Sequence, residues 1–243
     1  MISNNTPMDP ETFRSFGRQI YGHEIWLGDV FKEDREICVY ALYGHKMVPD
    51  KPMPTDYAKP VLYDDNGRIG NPDREIVKEP HGWKFSFEDK GADVYTLYID
   101  SNSVWITNDE GWHRGGKRDY SNVTYSGAFN MVAKKIISKT DDPGSVMHAT
   151  LEIMPSKAKY KVGDTAEFTI LYEEKPLPNT KIITYCNAWQ DLQPMNTDTE
   201  GKIRIPVKDK GSYVVIAKYT DTTKASDDFD ETGFSTTLLV DAE

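Results

Sequence analysis

Short runs in which apolar and polar residues alternate recur along most of the chain, and Gly, Pro, Asn and Asp bound them. The clearest run is 82–88 (GWKFSFE), where aromatic residues occupy every second position. A period of two places successive side chains on opposite faces of a strand, so this segment is predicted to be a half-buried strand. The bounding residues are typical of turns. The pattern therefore predicts an all-β fold.

The strands predicted from this pattern fall in two groups along the chain. The first group is 23–28, 36–43, 59–63, 82–88 and 93–99. The second group is 149–154, 165–172, 180–186, 202–207, 212–219 and 234–240. The sequence DDNG at 64–67 predicts a turn, because Asn-Gly readily adopts positive φ. Segment 128–139 fits a helix or a strand, and 11–20 fits one short helical turn.

The boundary between the two groups is expected near 140–147, where Asp-Asp, Pro and Gly separate two apolar runs. We therefore predict a flexible segment over 1–20 and two immunoglobulin-like β-sandwich domains in tandem over 21–143 and 146–243. The stretch 101–127 is predicted to be a long loop of the first domain. Long ordered loops are often functional, and the alternative is a surface excursion stabilised by its tryptophans.

Composition and charge narrow the classes of partner. The formal net charge of −10 disfavours nucleic acid, since an acidic surface repels phosphate. No run of about 20 apolar residues is present, so no transmembrane segment is expected. Residues 1–20 lack the apolar stretch of a secretory signal, so either the protein stays inside the cell or a signal or anchor preceded them. Whether Cys38 and Cys186 are bridged stays open.

Enzyme motifs do not stand out in this sequence. It contains no Gly-x-Ser-x-Gly elbow, no His-Glu-x-x-His and no Walker loop. The acidic stretch 220–232 lacks the Gly and the distal Glu of a calcium-binding EF-hand, so it is predicted to be a solvated hairpin tip. We expect a binding protein and not an enzyme. One reading is a structural or interaction module that binds carbohydrate or another protein through the aromatic stretch 95–125.

The five histidines are the candidate metal ligands. No two of them are spaced i, i+2 or i, i+4, so any site must be assembled from separate strands and loops. His23 and His45 form the best pair, because each lies at a predicted strand end and consecutive antiparallel strands can bring them together. His113 is the third candidate ligand. Imidazole suits Ni²⁺, Co²⁺, Zn²⁺ and Cu²⁺, and the alternative is that these rings only pack and hydrogen-bond.

A set of short stretches resembles a family of bacterial proteins. The stretches are 22–27 (GHEIWL), 42–45 (LYGH), 110–117 (EGWHRGGK), 132–137 (VAKKII), 151–155 (LEIMP), 162–164 (VGD), 175–179 (KPLPN) and 231–240 (ETGFSTTLLV). In order and spacing they are similar to the NikK-like periplasmic proteins of unknown function encoded beside energy-coupling nickel and cobalt transporters. Proteins of this family are often mistaken for the transporter subunit NikM. The stretches 175–179, 197–202 and 211–213 also resemble the transthyretin-like modules of carboxypeptidases.

This resemblance implies a secreted or lipid-anchored protein, periplasmic or extracellular, built from two β-sandwiches. It further implies a role in capturing or delivering Ni²⁺ or Co²⁺, with a membrane transporter complex as the partner. Zn²⁺ and Cu²⁺ stay open as alternative ions. His23, His45 and His113 all lie within the matching stretches and are the residues to which this role would fall.

Overall fold

The computed structural model describes residues 23–45, 47–49, 58–78, 82–186 and 192–243. Nineteen strands lie within these ranges, together with one 3₁₀ turn at Lys117–Asp119 and no α-helix. No helix among the described residues has the length and apolar character needed to cross a bilayer. The predicted segment 1–20, including the helical turn at 11–20, lies outside the described residues.

The strands of the first half are β1 (Glu24–Glu33), β2 (Glu36–His45), β3 (Val48–Pro49), β4 (Ala58–Asp64), β5 (Gly67–Gly70), β6 (Asp73–Val77), β7 (Gly82–Glu88), β8 (Val94–Asn108), β9 (Gly111–Arg114) and β10 (Tyr125–Ser138). Those of the second half are β11 (Leu151–Pro155), β12 (Lys159–Tyr160), β13 (Thr165–Tyr172), β14 (Lys175–Pro176), β15 (Lys181–Cys186), β16 (Leu192–Asn196), β17 (Lys202–Pro206), β18 (Gly211–Asp221) and β19 (Thr232–Ala242).

The predicted all-β fold class is confirmed, and each predicted strand overlaps a strand of the structure. The ambiguous segment 128–139 is strand, since it lies almost wholly within β10. The prediction of a long loop over 101–127 is wrong. Strand β8 continues to Asn108, β9 pairs with its end, and β10 begins at Tyr125. A two-residue turn joins β8 to β9, and a ten-residue connection that contains the 3₁₀ turn joins β9 to β10.

The strands form three sheets. The first sheet has the order β1-β2-β7-β6, with β3 paired to β2. The shared sheet has ten strands in the order β16-β15-β18-β19-β10-β8-β4-β5, with β12 on β19 and β9 on β8. The third sheet contains β11-β13-β14, with β17 on β13. The shared sheet draws strands from both halves, because β10 pairs in parallel with β19 from Ala128↔Thr232 to Lys135↔Leu239.

The first and third sheets pack on opposite faces of the shared sheet. One core lies between the first sheet and the shared sheet, and Trp83, Phe85, Leu97, Ile99 and Ala133 are among its residues. The other core lies between the third sheet and the shared sheet, and it includes Val94, Ile136, Leu151, Phe168 and Leu238. Along β8 and β10 the odd-numbered side chains therefore face the first core and the even-numbered ones the second.

A buried ion pair between β10 and β11 joins the two halves. Lys134 Nζ lies 2.8 Å from Glu152 Oε1, and the two side chains are 3% and 2% exposed. The backbone N–H of Met147 donates to both carboxylate oxygens, so the pair is hydrogen-bonded on each side. The segment 140–147 at the predicted boundary is irregular in the structure, but the shared sheet passes beneath it. The two predicted sandwich domains therefore share a layer, and their boundaries stay a prediction.

Cys38 and Cys186 are both buried and are not bridged to each other. Cys38 lies in β2 and Cys186 ends β15, so the two thiols belong to different halves. Burial is the main reason that the pKa of the Cys38 thiol is raised above its usual value. A buried, protonated thiol of this kind packs as a small apolar side chain.

Candidate functional site

His23 and His45 face each other at one end of the first sheet. Strands β1 and β2 are antiparallel, with Glu24 opposite Gly44 and Ile25 opposite Tyr43. One further step in this register places His23, the residue before β1, opposite His45, the last residue of β2. The centroids of the two imidazole rings lie 3.7 Å apart with an interplanar angle of 48°. The structure thus brings together the two histidines that strand order alone suggested as a pair.

A third ring, which the sequence analysis missed, completes this arrangement. The Tyr43 ring stacks on His23 with a centroid distance of 4.4 Å and an interplanar angle of 9°. Tyr43 and His45 are two residues apart on one strand, so their side chains lie on the same face. Tyr43 is 7% exposed and belongs to the first core. The i, i+2 spacing of Tyr43 and His45 was the signal in the sequence that could have identified it.

Glu24 lies on the opposite face of β1 from His23 and does not join the histidine pair. Its Oε1 accepts a hydrogen bond of 2.7 Å from Lys218 Nζ of β18, and the Glu24 side chain is 4% exposed. Next to it, Thr237 Oγ1 of β19 donates to the backbone oxygen of Ile25 at 2.5 Å. Two contacts from the second half therefore fix the start of β1, and with it the position of His23.

His113 lies elsewhere in the fold, in β9. Its ring stacks on Tyr120 at 5.0 Å, and the Tyr120 hydroxyl donates to the backbone oxygen of Arg114. His113 is opposite residue 106 of β8, which is opposite residue 126 of β10. Thr237 of β19, which contacts the start of β1, is opposite residue 133 of β10. Seven strand residues separate these levels, which is about 23 Å. The structure does not bring His113 to His23 and His45.

The other two histidines do not approach the pair either, as far as the structure describes them. His81 lies outside the described residues. His148 is at the junction between the halves, where its Nδ1 lies 2.7 Å from Glu174 Oε1. The side chains of His148 and Glu174 are 72% and 64% exposed. This is a surface contact, and it offers a convenient reference histidine for binding experiments.

The histidine pair has two ring nitrogens that could serve as donors to a metal ion. Within residues 23–45, 47–49, 58–78, 82–186 and 192–243, no three His, Cys, Asp or Glu side chains are grouped so that they could hold a metal ion. Two imidazoles fit a borderline ion such as Ni²⁺ or Co²⁺, with water or other donors completing its coordination. The donor set therefore fits an open, exchangeable site better than a closed structural one, which usually has four protein ligands.

The aromatic stretch 95–125 forms strands, and one of its tryptophans reaches the surface. Trp112 of β9 is 45% exposed and packs edge-to-face on Tyr125, with ring centroids 5.8 Å apart. Trp105 of β8 packs against the first core, and its indole N–H donates to Ser103 Oγ at 3.0 Å. Strand pairing therefore fixes both rings.

The acidic stretch 222–231 connects β18 to β19 as a hairpin tip, and it docks onto the 3₁₀ turn. The Arg118 guanidinium donates to both carboxylate oxygens of Asp228. Lys117 Nζ lies 2.5 Å from Asp230 Oδ1. At Gly116, an added Cβ would lie within 2.8 Å of the Asp228 side chain, so glycine permits this close approach. Two acids of the tip, Asp228 and Asp230, are thus paired with basic residues, and Glu231 accepts a hydrogen bond from the Tyr125 hydroxyl.

Comparisons with solved structures find weak matches to β-rich proteins. Murine CEACAM1b is 12% identical, with 91% of this chain and 100% of that chain covered and a TM-score of 0.24. A tetra-tandem repeat from the extending region of a large adhesion protein is 10% identical, with 90% and 49% covered and a TM-score of 0.23. The fibronectin(III)-like modules of Clostridium thermocellum CbhA are 12% identical, with 91% and 95% covered and a TM-score of 0.23. Structural likenesses at these TM-scores do not indicate a function for this chain. No curated protein matches the chain.

The sheets and the histidine pair together define the chain as an all-β protein of packed sheets with a candidate binding site at one sheet end. The model of one protein family matches residues 20–221, which is most of the chain. The chain belongs to this family, which is described as a domain of unknown function, DUF4198.

Proposed function

We propose that this protein binds Ni²⁺ or Co²⁺ through His23 and His45 and acts as an extracytoplasmic accessory of a nickel or cobalt uptake system. The observation that supports the proposal is the 3.7 Å separation of the two imidazole rings on adjacent strands. Neutral imidazole is a good ligand for both ions, and a small adjustment of two touching rings allows one nitrogen of each to reach the same ion.

The surroundings of the pair favour a preformed site. Tyr43 holds the His23 ring by stacking, and Lys218 and Thr237 fix the strand that carries it. Ligands held by packing and by a second layer of hydrogen bonds lose little freedom when an ion binds. The net charge of −10 raises the local concentration of cations around the chain.

A site with two protein ligands fits a carrier that passes its ion on. Coordination completed by water leaves positions that a second protein can occupy, so the ion can be transferred by ligand exchange. The partner that we propose is a membrane transporter complex that receives the metal. The protein has no catalytic role in this scheme.

The proposal is tested by titrating the purified, untagged chain with NiCl₂ and CoCl₂, using calorimetry and metal analysis by mass spectrometry. The double variant His23→Ala/His45→Ala is expected to bind at least about tenfold more weakly, because both nitrogen donors are lost. ZnCl₂ and CuCl₂ titrations establish which ion the site prefers.

His148→Ala is the matched control, since it removes an imidazole that lies on the surface beside Glu174. Its metal affinity should equal that of the unchanged chain. His113→Ala should also leave the affinity unchanged, because His113 lies far along β10 from the pair. Equal Ni²⁺ and Co²⁺ affinity in the double variant and in the unchanged chain would remove His23 and His45 as ligands.

A further inference from the structure

A cleft of about 730 Å³ opens on the shared sheet, on the face that the third sheet covers only in part. The buried pair Lys134–Glu152 marks the edge of the covered region. Thr150, just before β11, lines the cleft on that side, and Arg114 and Gly115 line it on the other. Its volume is within the range of about 300–1,000 Å³ that small-molecule sites usually have.

Three adjacent strands supply the floor of this cleft. The register of β8, β10 and β19 places Asn102, Asn130 and Phe234 side by side in one row. The next row along the strands contains Val104, Ala128 and Thr232. Because paired residues point to the same face of a sheet, these side chains share one surface. All six residues line the cleft.

A hydrogen-bonded group of three side chains forms the polar part of the floor. Asn130 Nδ2 donates to Asp100 Oδ1 at 2.7 Å and to Asn102 Oδ1 at 3.0 Å. Asn102 Nδ2 donates to the same Asp100 oxygen at 3.0 Å. These bonds orient the three groups, while the second carboxylate oxygen of Asp100, the Asn130 carbonyl and one amide N–H of Asn102 stay available for a ligand. The site therefore offers both acceptors and donors in fixed positions.

Of the aromatic residues on this face, Phe234 forms the adjoining part of the cleft. Phe234 lies beside Asn130 in the floor. The Tyr172 ring meets Phe234 edge-to-face at 5.6 Å and packs on Tyr219 at 4.6 Å. Tyr172 also donates a hydrogen bond to Asp221, which fixes its position. The cleft therefore has the aromatic ring of Phe234 beside the polar group; this residue is 6% exposed and is held from behind by Tyr172.

From this combination we infer that the cleft binds a neutral saccharide. Each sugar hydroxyl both donates and accepts hydrogen bonds, which matches one carboxylate and two amides held in place. The C–H faces of a sugar ring are apolar and pack against aromatic rings. A nucleotide would share the aromatic contact and could place a phosphate near Arg114 at one side of the cleft, but the Asp100 carboxylate in the floor and the net charge of −10 both oppose an anionic ligand. This inference does not rest on the proposed metal site.

The test is binding of a panel of tri- and tetrasaccharides built from glucose, galactose, mannose and N-acetylhexosamines. Binding is measured by saturation-transfer NMR and calorimetry on the full chain. At least one sugar should bind with a dissociation constant below about 1 mM. Asn130→Ala should weaken that binding roughly tenfold or more, since it removes the residue that holds the polar group together. Failure of every sugar to bind the unchanged chain at millimolar concentration would overturn the inference.

Two further variants separate binding from folding. Asp100→Asn keeps the shape of the side chain and removes its charge, so the fold should persist while affinity falls. Asn196→Ala removes an exposed amide on β16, outside the cleft, and should leave affinity unchanged. His23→Ala/His45→Ala should also bind the sugar normally, which distinguishes this site from the proposed metal site. Equal sugar affinity in Asn130→Ala, Asp100→Asn and the unchanged chain would place the sugar elsewhere and overturn the inference.

Discussion

Two neighbouring lysines on β10 place their ammonium groups on opposite faces of the shared sheet, and their ion pairs differ most in the burial of the acidic partner. Lys134 pairs with Glu152 of β11 at 2.8 Å, and Glu152 is itself 2% exposed. Lys135 pairs with Asp241 of β19 at 3.0 Å, and Asp241 is 54% exposed. The two lysines are 3% and 2% exposed, so the burial of the partner is what distinguishes the pairs.

This difference determines what each pair contributes to stability. Burial is the main cause that lowers the pKa of both ammonium groups, and the paired carboxylate acts in the other direction. Between Lys134 and Glu152 both ions have left water, so each depends on the other. Asp241 remains partly hydrated and also accepts a hydrogen bond from Ser212 Oγ. We therefore expect removal of Asp241 to lower the free energy of unfolding less than removal of Glu152 does.

The largest effect is expected from Glu152→Ala. This change leaves the buried Lys134 ammonium without a counter-ion and the Met147 N–H without its acceptor. The free energy of unfolding should fall by about 3–5 kcal/mol, as it does when one partner of a buried pair is removed. Urea unfolding followed by circular dichroism measures it. A loss below about 1 kcal/mol would mean that water reaches this junction.

The pH dependence of the same variant sharpens the prediction. The Lys134 pKa is lowered from 10.5 in the folded chain, so the unfolded chain binds that proton more tightly. Stability therefore rises as pH is raised through the folded-state pKa towards 10.5. Without Glu152 the pKa falls further, so this rise should begin at lower pH. The double variant Lys134→Met/Glu152→Leu should recover most of the stability and lose this rise.

A smaller effect is expected from Asp241→Ala. The variant removes the partner of a buried ammonium, but water already reaches the position of that partner. We expect a loss of about 1–2 kcal/mol in the free energy of unfolding, in the range of a hydrogen bond to a charged group. The same urea experiment measures it beside Glu152→Ala. If Asp241→Ala were as destabilising as Glu152→Ala, burial of the partner would not be the deciding factor.

The smallest effect is expected from Arg118→Ala at the acidic hairpin tip. Arg118 and Asp228 are both hydrated, so water screens the pair and the loss of unfolding free energy should be smaller than for Asp241→Ala. The hydrogen bond from Arg118 is the main cause that lowers the Asp228 pKa below 3.8. The stability that this ion pair contributes is present above pH 3.8 and is lost as the pH falls through the folded-state pKa of Asp228. In the variant the Asp228 pKa, measured by NMR, should rise towards 3.8, and an unchanged value would contradict the pairing.

Local patterns in the sequence predicted the strands well but could not predict the sheets. The segment 82–88 matches β7 to the residue, because its alternation reports burial on one face. The parallel pairing of β10 with β19 joins segments about 100 residues apart, and no local pattern records such a partner. The same limit explains the error at 101–127, where Gly and charged residues masked two paired strands.

The candidate sites show the same limit. His23 and His45 were predictable as a pair because they end consecutive strands, and antiparallel pairing then fixes their distance. His113 was grouped with them only by residue type and resemblance, neither of which contains distance information. The floor of the cleft had no signal at all, since Asp100, Asn102 and Asn130 are ordinary polar positions until the register brings them together.

The central place of β19 in the shared sheet has a consequence for synthesis of the protein on the ribosome. Strand β10 can pair with β19 only after β19 has been synthesised, roughly 90 residues later. At about 5–20 residues per second, this delay lasts roughly 5–20 s. During that time the nascent chain presents the open edge of β10, and such edges readily pair with other chains. Slower translation should therefore raise aggregation of the newborn chain, and a chaperone that covers this edge should reduce it.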